Sequence, residues 1–154
     1  MVLTSLRTIE DSLSSPASTV GVITNPVILI VDDHGDTCRA LSKLLEHKGY
    51  ETHCAQNAME AMDYLRDNLP SLIILDEMMP DMTGLELLRH LREDHRFDQL
   101  PVIFYSAGWS PEKRLDAGRL GAPDWITKGL SAWDELLERV QRLLPPPQTQ
   151  ETHP

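Results

Sequence analysis

Five short, mostly aliphatic runs divide the middle of this chain, and segments with helical spacing lie between them. The predicted strands cover residues 27–31, 50–55, 72–75, 102–105 and 125–127. The predicted helices cover residues 36–48, 58–69, 85–92, 111–120 and 133–144. Strands that alternate with helices predict βαβ units, and aliphatic strands predict a parallel sheet with helices on both faces. We therefore expect a doubly wound α/β fold with five strands.

The chain divides into a central domain and two end segments of different composition. Its 154 residues allow one domain of ordinary size. Residues 1–25 are rich in serine and threonine without a sustained apolar period, and residues 145–154 read PPPQTQETHP. Segments of this composition cannot bury a core. We expect a flexible extension over 1–25, a folded domain over 26–144 and a disordered Pro-rich tail over 145–154.

Charge, hydropathy and cysteine content disfavour several classes of protein. A formal net charge of −10 argues against tight binding to a nucleic-acid backbone, which needs clustered lysine and arginine. The longest aliphatic run, 27–31, is far shorter than the ~20 residues of a membrane span. Residues 1–25 contain no signal-peptide pattern. Cys38 and Cys54 provide neither a disulfide framework nor a four-ligand zinc site, so we expect a cytoplasmic protein.

Polar and charged residues stand at the ends of four predicted strands. They are Asp32 and Asp33 after the first strand, Asp76 after the third, Ser106 after the fourth and Lys128 after the fifth. Open α/β sheets place their sites at this edge. Three carboxylates there would repel one another unless a cation lies between them, and oxygen ligands suit Mg²⁺. A carboxylate beside Mg²⁺ and a lysine can attack phosphorus, which makes Asp76 a candidate nucleophile.

Four segments carry a more specific pattern, namely VILIVDD, LDEMMPDMTGLELLRHLR, VIFYSA and DWITK. Together they resemble the receiver domain of bacterial two-component response regulators, and the resemblance covers about residues 26–144. It implies a flavodoxin-like receiver fold, with a five-stranded parallel sheet of order 2-1-3-4-5 and five helices. It also implies a signalling switch that catalyses its own phosphorylation and dephosphorylation.

The resemblance implies a role for each acidic residue at the sheet edge. Asp76 matches the phosphoacceptor and is also a metal ligand. Asp33 matches the carboxylate that binds Mg²⁺ directly, and Asp32 matches its neighbour, which acts through a bound water. The backbone carbonyl of Met78 would supply a further oxygen ligand.

Other positions match the parts of a receiver that respond to phosphorylation. Ser106 matches the hydroxyl that closes onto the phosphoryl group, and Lys128 matches the lysine that contacts it. Trp125 falls at the switch aromatic, where the family usually has tyrosine or phenylalanine. Gly129 replaces the proline that usually follows the lysine in a cis peptide, so we expect a trans peptide or a locally rearranged loop there.

Two further positions match those that set the lifetime of the phosphoryl group in receivers. They lie two residues after Asp76 and two residues after Ser106, and here they are Met78 and Gly108. Neither side chain can orient an attacking water. We therefore expect slow self-dephosphorylation.

The remaining polar residues near the sheet edge are expected to have structural or solvated roles. Glu77 and Asp81 are expected to be solvated loop carboxylates. His34 is placed at the rim of the site, and no metal is assigned to any histidine. Cys38 and Cys54 are expected to be small buried residues.

We expect a stand-alone receiver, because residues 145–154 are too few and too polar to fold as an output domain. The resemblance implies that it takes its phosphoryl group from a sensor histidine kinase or a phosphotransfer protein. Its output would be protein–protein contact, with no direct DNA binding and no membrane contact. A homodimer through the face of the fourth and fifth helices is compatible with the mixed charges there.

Two alternative interpretations stay open. The chain could be a receiver-like interaction module that works without phosphorylation; Trp125 and Gly129 favour this, and the complete set of site residues argues against it. It could also be a receiver fragment of a larger regulator or hybrid kinase. A phosphatase with a paired-aspartate nucleophile is disfavoured, because Met78 stands where the second aspartate is needed.

Overall fold

The apolar runs of the sequence become the strands of one sheet. The computed structural model describes residues 25–146, and the predicted extension and tail lie almost wholly outside them. The strands are β1 (Val27–Val31), β2 (Glu51–Ala55), β3 (Leu72–Leu75), β4 (Val102–Ser106) and β5 (Asp124–Thr127). Each begins and ends within one residue of its prediction.

The sheet has the order β2-β1-β3-β4-β5, and every neighbouring pair is parallel. This confirms the predicted five-stranded, doubly wound sheet of order 2-1-3-4-5. The strand order reverses between β1 and β3, which lie side by side at the centre. A crevice therefore opens beyond the carboxyl ends of these two strands, as open α/β sheets require.

Four helices connect the five strands, a fifth follows β5, and the five helices cover both faces of the sheet. They are α1 (Gly35–His47), α2 (Ala58–Asp67), α3 (Gly84–Arg92), α4 (Pro111–Arg119) and α5 (Ala132–Leu143). A short 3₁₀ turn over His95–Phe97 was not predicted. Among residues 25–146, no helix is long and apolar enough to cross a membrane.

Local signals in the sequence start several of these helices. Asn57 accepts a hydrogen bond from the backbone of Glu60 at the start of α2. Thr83 and Glu86 form a capping box at the start of α3. Ser110 caps α4, whose first residue is a proline. Each cap satisfies backbone N–H groups that the first helical turn leaves free.

Alternate residues of the central strands contribute their side chains to two separate hydrophobic cores, one on each face of the sheet. Leu29 and Val31 of β1 pack against α2 and α3 on one face, whereas Ile28 and Ile30 pack against α1 and α5 on the other. All four side chains are fully buried. Both faces of the sheet are thus apolar, which leaves only the strand ends free to carry polar chemistry.

Candidate functional site

Three carboxylates and an imidazole meet at the carboxyl ends of β1 and β3. The last residues of these strands are paired in the sheet, so the residues that follow are brought together. Asp32, Asp33, His34 and Asp76 each offer one ligand atom within 4.8 Å of the others. Asp32 and Asp76 are almost completely buried. The three aspartates predicted to meet at this edge therefore do so.

Lys128 reaches the cluster from the end of β5. Its backbone N–H donates to the carbonyl of Ser106, 2.9 Å away, which fixes the start of the loop after β5. Its Nζ lies 2.9 Å from Asp32 Oδ2 and 3.6 Å from Asp76 Oδ2. Burial alone would lower the pKa of Lys128, but the bond to Asp32 and the charges of both carboxylates raise it. The side chain is therefore a permanent cation within the site.

Asp76 follows β3 directly and is held by backbone contacts. Its N–H donates to the carbonyl of Val31, and its Oδ1 accepts a hydrogen bond from the N–H of Met78 at 3.3 Å. Burial raises the pKa of the Asp76 carboxyl above its ordinary value; Lys128 opposes this shift and Asp32 adds to it. A carboxylate with a raised pKa is more basic than a solvated one, which suits a nucleophile.

Ser106, at the end of β4, is fully buried beside Asp76. Its hydroxyl is near enough to lower the pKa of the Asp76 carboxyl, yet within residues 25–146 its Oγ makes no hydrogen bond of good geometry. A buried hydroxyl without a partner is costly. Such a group is available to donate to an oxygen that enters the site.

The donor set of this cluster fits a hard divalent cation such as Mg²⁺. Asp33 Oδ1 is buried and accepts no hydrogen bond of good geometry among the described residues, although His34 Nδ1 lies 3.2 Å away. Together with the oxygens of Asp32 and Asp76, it would give a bound cation the carboxylate ligands that Mg²⁺ prefers. The oxygen contributed by the Met78 carbonyl stays a prediction.

His34 lies at the rim of the site, as expected, and contacts both carboxylates of the acidic pair. Its Nδ1 lies 3.2 Å from Oδ1 of both Asp32 and Asp33, and its backbone N–H donates to Asp32. The ring is two-thirds exposed, so it covers the acidic cluster from the solvent side. A histidine directly after an acidic pair at a strand end was the available signal.

Glu77 is buried, contrary to expectation. The expectation of a solvated carboxylate is wrong, because Glu77 is only 3% exposed. Its Oε1 accepts from the N–H of Leu85, and its Oε2 lies 3.1 Å from Lys113 Nζ on α4. The residue after Asp76 thus connects the site to the starts of two helices. The lysine that pairs with it is 36 positions away, so no local pattern reveals the pair.

Asp81 also has a structural role that was not expected. Its carboxylate accepts hydrogen bonds from the N–H groups of Ala58 and Met59, at 3.2 and 3.0 Å. It therefore supplements the cap of α2 from the loop between β3 and α3. A negative charge at a helix N-terminus is favourable.

Trp125 lies inside the molecule. Its indole stacks on Phe104 with 4.6 Å between ring centroids and 9° between planes, and its Nε1 donates to the carbonyl of Gly108 at 3.3 Å. The side chain at the expected switch position is thus tied to the loop after β4. Residues 25–146 contain no cis peptide bond, which agrees with the trans peptide expected before Gly129.

Gly84 explains the close approach of α3 to the site. A Cβ at this position would lie 2.4 Å from the backbone oxygen of Asp76 and 3.0 Å from Phe104. Only glycine lets the helix start against the strand end that carries Asp76.

Comparison with known proteins identifies the family. The model of the response regulator receiver domain matches residues 28–141. Response regulator Rre1 of Synechocystis is 38% identical over 118 residues, which are 76% of this chain and 51% of the relative. The phosphate regulon transcriptional regulatory protein PhoB of Pseudomonas aeruginosa is 36% identical over 117 residues, with 76% of this chain and 51% of PhoB covered. The chain spans about half the length of these curated relatives.

Solved structures agree with the sequence comparison. The receiver domain of the Francisella response regulator 1452 superposes with a TM-score of 0.70 at 34% identity, covering 77% of this chain and 96% of that one. Chemotaxis protein CheY4 of Vibrio cholerae superposes with a TM-score of 0.72 at 30% identity, covering 79% of this chain and all of its own. Since the matched residues include the whole polar sheet edge, from Asp32 to Lys128, this chain belongs to the response regulator receiver domains of two-component systems.

Proposed function

We propose that this receiver accepts a phosphoryl group on Asp76, in a Mg²⁺-dependent step, from a sensor histidine kinase or a phosphotransfer protein. The position of Lys128 carries the proposal. Its Nζ lies between the carboxylates of Asp32 and Asp76, at 2.9 and 3.6 Å. A half-buried cation beside the attacking carboxylate is placed to neutralise the oxygens of a transferred phosphoryl group.

The transfer exchanges one phosphorus bond for another. A carboxylate oxygen of Asp76 attacks the phosphorus of a phosphohistidine, the P–N bond breaks, and the imidazole leaves and takes up a proton. Lys128 would contact one phosphoryl oxygen, and the unpartnered hydroxyl of Ser106 would donate to another. Mg²⁺, when held by Asp32, Asp33 and Asp76, would supply further positive charge at the phosphoryl oxygens. The Met78 carbonyl would complete the protein ligands.

The response to phosphorylation would pass through the loop after β4. Ser106 stands at the start of this loop, and the loop carbonyl of Gly108 accepts the hydrogen bond from Trp125. A shift of Ser106 towards the phosphoryl group would move this carbonyl and change the surface around Trp125. Phosphorylation would then alter the affinity for a partner by shifting the population of this loop.

The wider setting is part of the same proposal. We propose a stand-alone cytoplasmic receiver over residues 26–144 that signals through protein contacts, with a homodimer through α4 and α5 as a compatible assembly. The net charge of −10 supports an output without direct DNA binding. A receiver segment of a larger regulator is the alternative, and the length of the native reading frame decides between the two.

A second candidate function is an interaction module that works without phosphorylation. The observation that favours it is the inward position of Trp125, which is 6% exposed and stacked on Phe104. If the Trp125 side chain already packs inward before phosphorylation, phosphorylation would change its position less. Phosphorylation chemistry separates this candidate from the first.

The test is intact mass after incubation with acetyl phosphate, with and without Mg²⁺. We expect one phosphoryl adduct that requires Mg²⁺ and is absent in Asp76→Asn. Asp63→Asn is the matched control, because Asp63 is an exposed carboxylate on α2 and its replacement should leave the adduct unchanged. A folded wild-type protein that binds Mg²⁺ but forms no adduct, and accepts nothing from phosphorylated kinases, would instead support the interaction module.

A further inference from the structure

Two thiols lie together behind the acidic cluster, and phosphoryl transfer uses neither of them. Cys38 is on α1 and is 2% exposed, whereas Cys54 is on β2 and is partly exposed. Both pack into the core between the sheet and helices α1 and α5. The expectation that both are small buried residues therefore holds for Cys38 but is wrong for Cys54.

The contacts around these cysteines place the two side chains in the same part of the core. Cys38 and Ser42 are one turn apart on α1, so they present their side chains to the same part of the sheet. The Ser42 hydroxyl lies 3.3 Å from Cys54 Sγ, and Cys38, one turn before Ser42, lies in the same core cluster against which Cys54 packs. The chain contains no other cysteine.

The two thiols have different surroundings, which suits them to different tasks. Cys54 is partly exposed on the edge strand β2, and its Sγ lies 3.3 Å from the Ser42 hydroxyl. Cys38 is only 2% exposed. A partly exposed thiol, which reagents can reach as its thiolate, beside a buried second thiol is the arrangement of an attacking and a resolving cysteine.

We propose that Cys38 and Cys54 form a redox-active pair that closes into a disulfide on reaction with a hydroperoxide and reopens with a thiol reductant. The Cys54 thiolate attacks the peroxide, the O–O bond breaks, and the departing oxygen leaves as water or alcohol after taking up a proton. The Cys54 sulfenic acid is then attacked by the Cys38 sulfur. An S–S bond forms, the S–O bond breaks, and the hydroxide leaves as water with the proton of Cys38.

The disulfide would also reach the acidic cluster. In the reduced protein the Cys38 thiol donates to the backbone carbonyl of Asp32, 3.7 Å away. Oxidation removes this proton and ties the first turn of α1 to β2. The position of the Asp32 carbonyl, and with it the rate of phosphorylation of Asp76, should change. This consequence rests on the proposed function, whereas the disulfide itself does not.

The test is the intact mass of the full chain after treatment with hydrogen peroxide, measured without reductant. We expect a monomer that has lost about 2 Da and regains them with dithiothreitol. Because the chain has two cysteines, a disulfide within the monomer has to join Cys38 and Cys54. The absence of this disulfide in the folded protein, or its formation only between two chains, overturns the proposal.

Two variants check the order of attack. Cys38→Ala should accumulate a sulfenic acid at Cys54 that dimedone traps, and Cys54→Ser should leave Cys38 unreactive because that thiol is buried. Faster oxidation of Cys38 than of Cys54 would overturn the assigned roles. The phosphorylation rate with acetyl phosphate should differ at least about twofold between the oxidised and reduced wild type. Equal phosphorylation rates would show that the disulfide does not act through Asp32, and the intact-mass result for the disulfide would stand.

Discussion

The negative charge of Asp76 is held where water scarcely reaches it, and this has a cost for the fold. Burial raises the pKa of its carboxyl above the ordinary 3.8, with Lys128 opposing the shift and Asp32 adding to it. Between pH 3.8 and the raised pKa, the folded chain binds the proton more tightly than the unfolded chain. The free energy of unfolding therefore falls as the pH rises through this window. At neutral pH the ionised Asp76 destabilises the metal-free protein.

Asp76→Asn should therefore be more stable than the wild type in a chelator at pH 7, because the amide removes the buried charge. Lys128 keeps its contact with Asp32 in this variant. The difference in Tm should shrink as the pH is lowered towards 3.8. Thermal unfolding followed by circular dichroism at several pH values measures it. A lower Tm for Asp76→Asn at pH 7, or a difference that does not depend on pH, would contradict this account.

We also expect single residues to set the lifetime of the proposed phosphoryl group. The side chain of Met78 is largely exposed and apolar, and Gly108 has none. A Cβ at Gly108 would meet nothing within 4 Å, so a longer side chain fits there. Gly108→Glu should speed the loss of the phosphoryl group about tenfold, because a carboxylate can orient and deprotonate an attacking water.

Decay of the adduct by intact mass checks this prediction. Gly118→Glu, on the exposed side of α4, is the control for the change in charge. A wild-type half-life of seconds would show that Met78 and Gly108 do not slow hydrolysis.

At the scale of elements, the start of α3 is held against the end of β3 by a glycine. Gly84→Ala would place a methyl group 2.4 Å from the Asp76 carbonyl oxygen, so the helix or the strand end has to shift. We expect a loss of about 3 kcal/mol in the free energy of unfolding. Gly118→Ala is the matched control: its Cβ meets nothing within 4 Å, and it should gain about 0.5–1 kcal/mol from helix propensity. Urea unfolding of both variants makes the comparison, and equal effects would refute it.

The elements themselves were predictable, but some connections between them were not. The runs at 27–31 and 72–75 predict buried central strands of a parallel sheet, because continuous aliphatic strands need cover on both faces. Glu77 had no such constraint: its burial depends on Leu85 and Lys113, which reach it only after α3 and α4 have packed. Asp81 is exposed in its loop, as expected, but its capping role was missed because the helix that it caps lies earlier in the chain.

At the scale of the whole molecule, one sheet serves two cores, and they should unfold together. Leu88 of α3 and Leu136 of α5 are fully buried on opposite faces. Each replacement by alanine should cost about 3 kcal/mol and leave a single transition, because loss of either face exposes the strands on which the other depends. Unfolding curves from fluorescence and from far-ultraviolet circular dichroism should coincide for both variants. Separate midpoints would show that the two faces are independent.

The polar edge of the sheet could be predicted from the strand order, because that order brings the polar strand ends together. Asp32, Asp76 and Lys128 are far apart in sequence, but parallel strands of known order bring their ends together. What could not be predicted is how the surrounding side chains fill the space. Trp125 is an example: the motif fixed its position, and only the stacking on Phe104 shows that it lies inside.

The two hydrogen bonds that Asp81 accepts from the start of α2 make hydrogen exchange at that helix a measure of how often the loop after β3 opens. The amide protons of Ala58 and Met59 are held by a carboxylate on the loop that follows Asp76, and not by their own helix. They should exchange with deuterated solvent only as fast as that loop lifts away. A chemical event at the end of β3 would then be recorded as a change in isotope uptake on the first turn of α2, in a helix that contributes no residue to the acidic cluster.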